Sequence, residues 1–378
     1  MLLLTATPAP VADYISTSAA GSSSTSTASS SSTSTASSSS TPTATPLAPA
    51  AYVEPSSISS STPTASPLVP AAYVEPSSIS SSTPTASPSM LAAYMEPSST
   101  SSSTMILATA SPSSGYGITY NQYNRDGSCK TEGQVATDFG YLGSFPLIRI
   151  YGTDCNGPYN VLSACKATGK KLFLGIFSLD DLTAEVTIIV NAVESLGGDY
   201  ELIHTISIGN ELVNQGIADA GTVMSAVATA RGLLRAAGYS GPVVTVDTLN
   251  AAVANPTLCD KSDYCAVNCH PFFEANAVPS GAGSFLTSQI TSLKNVLSNK
   301  SQSILITETG WPSSATGEKA SVASPSDQTV ALNSIKAAFS SNQGGVILFS
   351  SFNREWVKDP GEYDQEEWWG ILGDCPSG

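Results

Sequence analysis

The apolar positions of this chain concentrate in its second part, where short continuous runs alternate with segments of helical periodicity. Eight runs rich in Val, Ile, Leu and Phe are continuous, as expected for parallel strands buried on both faces. They are Tyr116–Asn121, Phe145–Tyr151, Lys171–Phe177, His204–Gly209, Pro242–Thr248, Tyr264–His270, Ser303–Thr307 and Val346–Phe352. The pattern predicts one extensive parallel sheet.

Between these runs, apolar residues recur at the spacing of one helix face. The segments concerned are Glu132–Leu142, Leu182–Leu196, Ala220–Ala237, Phe285–Leu297 and Gln328–Phe339. Alternating β and α elements imply a parallel sheet covered by helices. Eight such units within residues 115–378 favour an α/β fold of the closed (β/α)8 TIM barrel type over an open, doubly wound sheet.

Residues 1–114 have a different composition, dominated by Ser, Thr, Pro and Ala, with no Lys, Arg or His. Such a segment has too little apolar surface to offset its ordering entropy, so we expect disorder. A 21-residue repeat recurs around Tyr52, Tyr73 and Tyr94. One aromatic per repeat is too little for a solenoid, which favours a mucin-like stalk open to O-glycosylation, with an unmodified flexible linker as the alternative. The sequence therefore divides into two regions, residues 1–114 and residues 115–378.

Charge and targeting signals narrow the possible partners. All 15 basic residues and 26 of the 30 acidic ones lie in 115–378, which therefore carries a net charge of −11. This excess argues against nucleic acid or an anionic membrane as partner. No apolar run is long enough to span a bilayer. We expect a secreted monomer, although Met1–Thr7 is not a convincing signal peptide. Asn299-Lys-Ser301 is a candidate N-glycosylation site.

The cysteines also favour an oxidising compartment. They are Cys129, Cys155, Cys165, Cys259, Cys265, Cys269 and Cys375, with none of the Cys-x2-Cys pairs of a zinc site. Cys155 and Cys165 bracket a short loop and helix and are the predicted disulfide. Cys375 is expected to pair with Cys129 or Cys259. The two remaining cysteines lie in an apolar run, where free thiols are at least as plausible as a bridge.

Two of the predicted strands end on a glutamate. Ile206–Glu211 and Ile304–Pro312 are apolar runs in which Glu211 and Glu308 stand where the strand gives way to a loop. A carboxylate is costly to bury, so these positions indicate function. On a barrel, the loops after the strands build the active face. Two carboxyl groups held there suit glycosidic bond hydrolysis. The alternative, a buried salt bridge to Arg149, is compatible with catalysis because arginine keeps a carboxylate ionised.

Several further residues are candidates for sugar binding. Tyr120 and Tyr151 lie at strand ends, and Trp311 and Trp356 offer indole faces on which a pyranose can pack. For each of them the alternative is burial as core. His270, at the end of the sixth run, either contacts the site or is a hydrogen-bonded core residue. The chain has two histidines in all and no phosphate-binding loop, so we expect neither a metal nor another cofactor.

The two glutamate motifs resemble those of a known family. Ile208-Gly-Asn-Glu211 and Thr307-Glu-Thr-Gly-Trp-Pro312 are similar to the signatures of glycoside hydrolase family 17, the β-1,3-glucanases. The chain resembles most the fungal cell-wall β-glucosidase/glucanase branch with a Ser/Thr-rich N-terminal region. Further matching segments are Gly117–Tyr120, Leu147–Cys155, Gly238–Val243, Asn268–Phe273 and Phe352–Lys358.

The resemblance implies a retaining mechanism with Glu211 as acid/base and Glu308 as nucleophile. It also implies that Asn210 binds the sugar 2-hydroxyl and that Glu355 and Lys358 lie near the cleft. The expected substrates are β-1,3-glucan or laminari-oligosaccharides of cell-wall polysaccharide. Open alternatives are a β-1,3-glucan transglycosylase, an exo-acting β-glucosidase, a sibling barrel cleaving β-1,4 linkages, and a non-catalytic glucan-binding wall mannoprotein.

Overall fold

The computed structural model describes residues 115–357 and 360–378. The expectations for residues 1–114, and the one for Lys358, lie outside the described residues. Eight parallel strands close into a barrel in chain order. They are β1 (Gly117–Thr119), β2 (Leu147–Arg149), β3 (Lys171–Ile176), β4 (Ile203–Asn210), β5 (Val243–Thr248), β6 (Cys265–Asn268), β7 (Ile304–Thr309) and β8 (Val346–Leu348). The predicted (β/α)8 barrel is confirmed.

Helices pack around the outside of the barrel. They are α1 (Glu132–Phe139), α2 (Gly157–Thr168), α3 (Leu182–Ser195), α4 (Ala220–Ala236), α5 (Leu249–Ala254), α6 (Thr257–Asp260), α7 (Ala282–Val296) and α8 (Pro325–Ala338). The five helices predicted from periodicity are all present. The short helices α5 and α6 escaped prediction because four to six residues are too few to show a helical period.

Inward-facing side chains change character along each strand. Leu147 and Arg149 of β2 are two residues apart and therefore share a face. Leu147 belongs to a small apolar cluster with Phe173, Val244 and Leu305, whereas Arg149 lies in polar surroundings. The larger apolar core lies between the strands and the surrounding helices. The barrel therefore has an apolar plug near the start of its strands and a polar interior at their carboxyl ends.

The disulfides differ from the predicted pairing. Cys155 bonds to Cys129, with 5.1 Å between their Cα atoms, and Cys259 bonds to Cys265. The prediction of a Cys155–Cys165 bond is therefore wrong: Cys165 lies on the buried face of α2 and is a free thiol. The predicted bridge to Cys375 is also wrong, because that thiol is free and its two suggested partners are bonded elsewhere. Closeness in the sequence was a poor guide to the disulfide partners, because barrel loops bring distant segments together.

Two smaller observations concern the surface. Asn299 is exposed in a turn, where its side chain accepts hydrogen bonds from the backbone N–H and hydroxyl of Ser301. No helix within the described ranges is long and apolar enough to cross a membrane.

Candidate active site

Glu211 owes its position to an irregularity in β4. Between Ser207 and Asn210 the pairing of β4 with β5 shifts by one residue, so β4 bulges there. Gly209 takes a positive φ of 76° in this bulge, and Glu211 itself has φ of 58°. A left-handed backbone is uncommon for glutamate and concentrates at functional sites. The bulge turns the half-buried side chain of Glu211 toward the mouth of the barrel.

Glu308 follows a second bulge, on β7. Val267 pairs with Ile306 but Asn268 pairs with Glu308, so Thr307 is the extra residue. Both Thr307 and Glu308 can then direct their side chains toward the β6 and β2 residues of the barrel mouth. Glu308 is only 6% exposed. The sequence motif at each glutamate thus encodes a local bend as well as a carboxyl group.

Arg149 binds the carboxyl group of Glu308. Its Nη1 donates to Glu308 Oε1 at 2.8 Å and to the carbonyl oxygen of Thr307 at 2.9 Å. Its Nη2 donates to Asn210 Oδ1 at 2.8 Å. On the other side, His270 Nε2 lies 3.2 Å from Glu308 Oε2. The carboxyl group is therefore fixed by charged and polar partners on both oxygens, and the predicted ion pair with Arg149 is present.

Asn268 connects the two glutamates. Its Nδ2 donates to Glu211 Oε1 at 2.7 Å and lies 3.2 Å from Asn210 Oδ1. Its Oδ1 accepts from Arg149 Nη1 at 3.2 Å and from the Thr307 hydroxyl at 2.8 Å. A continuous chain of hydrogen bonds therefore runs from Glu211 through Asn268 and Arg149 to Glu308. One side-chain network sets the orientation of both carboxyl groups.

The surroundings of the two glutamates shift their pKa values in opposite directions. Burial, reinforced by the nearby Glu308 charge, raises the pKa of Glu211 to about 7, against the opposing hydrogen bond from Asn268. Burial also acts to raise the pKa of Glu308, but Arg149, His270 and Tyr151 together outweigh it and lower that pKa below its ordinary value. Near neutral pH, a substantial fraction of Glu211 keeps its proton while Glu308 is a carboxylate. This is the division that an acid/base pair requires.

Aromatic side chains surround Glu308 and its partner His270. The Tyr151 ring lies over the Arg149 guanidinium at 4.6 Å, and the interaction of its hydroxyl with Glu308 helps to lower the pKa of that carboxyl group. The His270 and Trp369 rings are 5.0 Å apart. His270 Nδ1 and Trp369 Nε1 are buried and make no hydrogen bond of standard geometry with the described residues. Buried polar atoms of this kind usually have partners, so these two are available to a polar ligand.

The structure places two of the predicted sugar contacts, Tyr120 and Trp311, in the core. Tyr120 is fully buried, and its hydroxyl donates to Asp138 Oδ2 at 2.7 Å, away from the glutamates. Trp311 is 1% exposed, packs edge-on against Phe272, and donates its indole N–H to the carbonyl oxygen of Val322. Both are core residues that lie close to the motifs in the sequence. Their position at a strand end could not distinguish burial in the core from exposure at the active site.

Glu355 and Trp356 lie on the rim rather than in the hydrogen-bond network. Glu355 pairs with Arg125 at 2.6 Å. Trp356 is half-buried and packs on Tyr123, with ring centroids 4.7 Å apart. The guanidinium of Arg354 lies 5.3 Å from the centre of the Trp356 ring. Trp356 thus remains a candidate sugar platform, whereas the ion pair of Glu355 is formed with the β1–α1 loop.

Sequence reasoning missed Asn268 and Trp369. Asn268 lies in one of the segments that resemble the family. Its apolar neighbours in the sequence do not indicate whether it is a buried polar residue or part of a loop. One signal was available: an asparagine that follows three apolar residues of β6 is costly to bury unless it is hydrogen-bonded. Trp369 carries no comparable signal, because it reaches the site from the chain segment beyond β8.

Two glutamates with divergent pKa values at the carboxyl rim of a closed barrel are typical of the (β/α)8 glycoside hydrolases. The sequence defines the family within this class. The BtgE/BtgC glycoside hydrolase domain matches residues 117–370, and the chain belongs to that family.

Three fungal proteins are among the relatives of this chain. The cell surface mannoprotein MP65 of Candida albicans is 44% identical over 255 residues, which is 68% of this chain and 66% of that protein. The "Probable family 17 glucosidase SCW10" of Saccharomyces cerevisiae is 45% identical over 69% of this chain and 65% of its own length. The "Probable beta-glucosidase btgE" of Aspergillus fumigatus is 32% identical. The matched region thus spans just under two thirds of the first two relatives.

Solved structures share the fold. The β-1,3-glucanosyltransferase of Rhizomucor miehei superimposes with a TM-score of 0.56 at 22% identity, covering 70% of this chain and 96% of that one. An endo-laminarinase from Formosa superimposes with a TM-score of 0.54 at 16% identity, covering 68% and 83%. At these identities the likeness establishes the barrel alone.

Proposed function

We propose that this protein is a retaining glycoside hydrolase that cleaves β-1,3-glucan in the fungal cell wall. The observation that carries the proposal is the pair Glu211 and Glu308, joined by one hydrogen-bond chain and shifted to different pKa values. The names of the relatives, family 17 glucosidases among them, support the reaction class. The name of MP65 supports a location at the cell surface.

In the first step Glu308 is the nucleophile. Arg149 and His270 keep its carboxylate ionised and aligned, so that one oxygen can attack the anomeric carbon. Glu211, protonated, donates its proton to the glycosidic oxygen, and the bond to the leaving sugar breaks. A glycosyl-enzyme ester remains on Glu308. Retaining enzymes hold the two carboxyl groups about 5–5.5 Å apart.

In the second step the roles of Glu211 reverse. Esterification removes the negative charge of Glu308, which is one of the causes of the raised pKa of Glu211. The pKa of Glu211 then falls, and its carboxylate can take a proton from water as that water attacks the anomeric carbon. The ester bond breaks, free Glu308 returns, and the product keeps its original anomeric configuration.

The remaining polar groups would bind and orient the sugar. Asn210 lies next to the acid and shares its amide oxygen between Arg149 and Asn268, which leaves its amide nitrogen for the 2-hydroxyl. The Trp369 indole N–H, next to His270, is a further donor without a hydrogen-bond partner among the described residues. Trp356 would form an outer platform on the rim.

Time-resolved product sizing on linear β-1,3-glucan tests the proposal. We expect laminari-oligosaccharides from the full chain and none from a Glu308→Gln variant prepared in parallel. Products of mixed length at early times indicate endo action, whereas glucose alone indicates an exo-acting β-glucosidase. A linear β-1,4-glucan serves as the linkage control. Equal cleavage of both polymers, or retention of full activity by the variant, would contradict the proposal.

Transglycosylation is the second candidate, because the same ester can be intercepted by a sugar hydroxyl instead of water. The name of one fold neighbour, the β-1,3-glucanosyltransferase of Rhizomucor miehei, makes this alternative worth testing. Incubation with one purified laminari-oligosaccharide separates the two outcomes: chains longer than the substrate report transfer, and shorter chains alone report hydrolysis. A protein that binds the polymer and yields neither would instead be the non-catalytic wall mannoprotein.

A further inference from the structure

A second cluster of ionisable side chains lies outside the proposed active site, where the C-terminal segment meets the β1–α1 loop. Lys130 is at its centre, with only 2% of its side chain exposed. Its Nζ lies 2.8 Å from Asp138 Oδ2 and 2.9 Å from the Sγ atom of Cys375. Tyr120 donates to the same Asp138 oxygen at 2.7 Å. The Lys130 amine and the free Cys375 thiol are therefore in direct contact.

The C-terminal segment is anchored on both sides of Cys375. Asn353 Nδ2 donates to Asp374 Oδ1 at 2.7 Å, and Gln134 Nε2 donates to the carbonyl oxygen of Ser377 at 2.8 Å. The aromatic faces of Tyr120 and Phe352 lie 4.9 and 5.9 Å from the Lys130 Nζ. The amine–thiol contact therefore does not depend on a flexible surface lysine. Both partners are fixed by independent contacts.

A comparison with another cysteine shows what is particular to this pair. Cys165 is also a free thiol, but it is fully buried, and burial raises its pKa to about 12. Lys170 lies nearby, yet its Nζ is occupied by the carbonyl oxygens of Leu142 and Phe145. Cys375 is half-buried and contacts the lysine directly. Cys375 is thus the more exposed of the two residues.

We propose that Lys130 and Cys375 form an oxidative cross-linking site. Hydrogen peroxide oxidises the Cys375 thiol to a sulfenic acid and is itself reduced to water. The Lys130 ammonium gives one proton to solvent by way of Asp138, and the amine attacks the sulfur. The N–S bond forms, the S–O bond breaks, and hydroxide leaves with a second amine proton as water. The resulting sulfenamide ties the C-terminal segment to the loop before α1.

Peptide mapping after mild peroxide treatment of the folded full chain tests this site. A bonded Nζ blocks tryptic cleavage after Lys130, so Lys130 stays within residues 126–149, a peptide that is also joined through the Cys129–Cys155 disulfide to residues 150–166. Residues 359–378 should appear joined to this disulfide-linked pair. The joined species is expected about 2 Da lighter than the sum of the disulfide-linked pair and residues 359–378, or about 14 Da heavier if oxygen stays between nitrogen and sulfur. Dithiothreitol should release all three peptides. Cys165 is the internal control and should remain a thiol.

Two variants keep the test independent of folding. Lys130→Arg retains the positive charge beside Asp138 and should give no linked peptide. Cys375→Ser changes a half-buried side chain and should give none either. Peroxide should raise the Tm of the parent chain by roughly 5 °C and leave that of Cys375→Ser unchanged, because only the parent gains a long-range covalent constraint.

The proposal fails if peroxide converts Cys375 to sulfinic or sulfonic acid while trypsin still cleaves after Lys130. It fails equally if Cys375 is recovered in a disulfide with Cys129 by exchange with the Cys129–Cys155 bond. Neither result would bear on the reaction proposed for Glu211 and Glu308, since the two clusters share no residue.

Discussion

The carboxyl ends of β4 and β7 each carry one glutamate, and the surroundings of the two side chains differ. Glu211 has a left-handed backbone conformation, is half-buried and accepts a hydrogen bond from the amide of Asn268. Glu308 follows a bulge in a paired strand, almost fully buried, between an arginine and a histidine. Identical side chains thus differ in pKa because one lacks the cation that the other has. Neighbouring residues, rather than residue type, assign the two proposed roles.

The largest effect is expected at Glu308. Glu308→Gln keeps the size of the side chain but removes the attacking oxygen anion, so kcat/KM on β-1,3-glucan should fall by roughly 10⁴-fold or more. An aryl β-glucoside with a very good leaving group should be affected as severely, because it still needs the nucleophile. Initial rates on both substrates measure this. Glu201→Gln, at an exposed position, is the matched control, and circular dichroism checks that the variant folds.

At Glu211 the loss should depend on the leaving group. Glu211→Gln removes the proton donor, so hydrolysis of glucan should slow by about 10²–10⁴-fold. An aryl glucoside that leaves without protonation should form the glycosyl-enzyme at near-normal rate and then accumulate it, since no base activates water. A burst of aryl product followed by slow turnover reports this. Equal losses on both substrates would contradict the division of roles between the two glutamates.

The sequence predicted the two glutamate positions but not the differences between their surroundings. Apolar runs that end on glutamate predicted Glu211 and Glu308, because a carboxyl group after a buried strand is costly without a purpose. The two bulges were not predictable, since a single extra residue does not disturb an apolar run. The bridging role of Asn268 depends on those bulges. The burial of Trp311 was not predictable either: it belongs to a motif, yet its indole lies in the core.

Arg149 offers a way to make the two environments more alike. Lysine keeps the charge but lacks the planar fork that reaches Glu308, Thr307 and Asn210 together. With Arg149→Lys we expect the pKa of Glu308 to rise, so the acid limb of the pH profile should move to higher pH. The value of kcat/KM should fall by roughly 10²-fold as the nucleophile loses alignment. Arg235→Lys, in an exposed ion pair, is the control, and an unmoved acid limb would contradict this role.

Asn268 gives the finest test, because it bonds directly to the acid and reaches the nucleophile only through Arg149 and Thr307. Hydrolysis needs Glu211 protonated, so activity should fall as the pH rises through about 7, the pKa of Glu211. The Asn268 amide donates to the Glu211 carboxyl and opposes this raised pKa. Asn268→Ala removes that donor, which favours the protonated form, and the alkaline limb should move up by roughly 1 pH unit.

The same substitution separates electrostatics from positioning. Loss of the amide should also lower kcat by about 10-fold at the optimum, because the carboxyl group is held less firmly. A structural defect alone would lower kcat without moving the alkaline limb. Asn255→Ala removes a comparable half-buried amide that bonds only to its own helix and should leave both quantities unchanged. An alkaline limb that stays fixed or moves to lower pH in Asn268→Ala would show that something other than this hydrogen bond sets the pKa difference between the two glutamates.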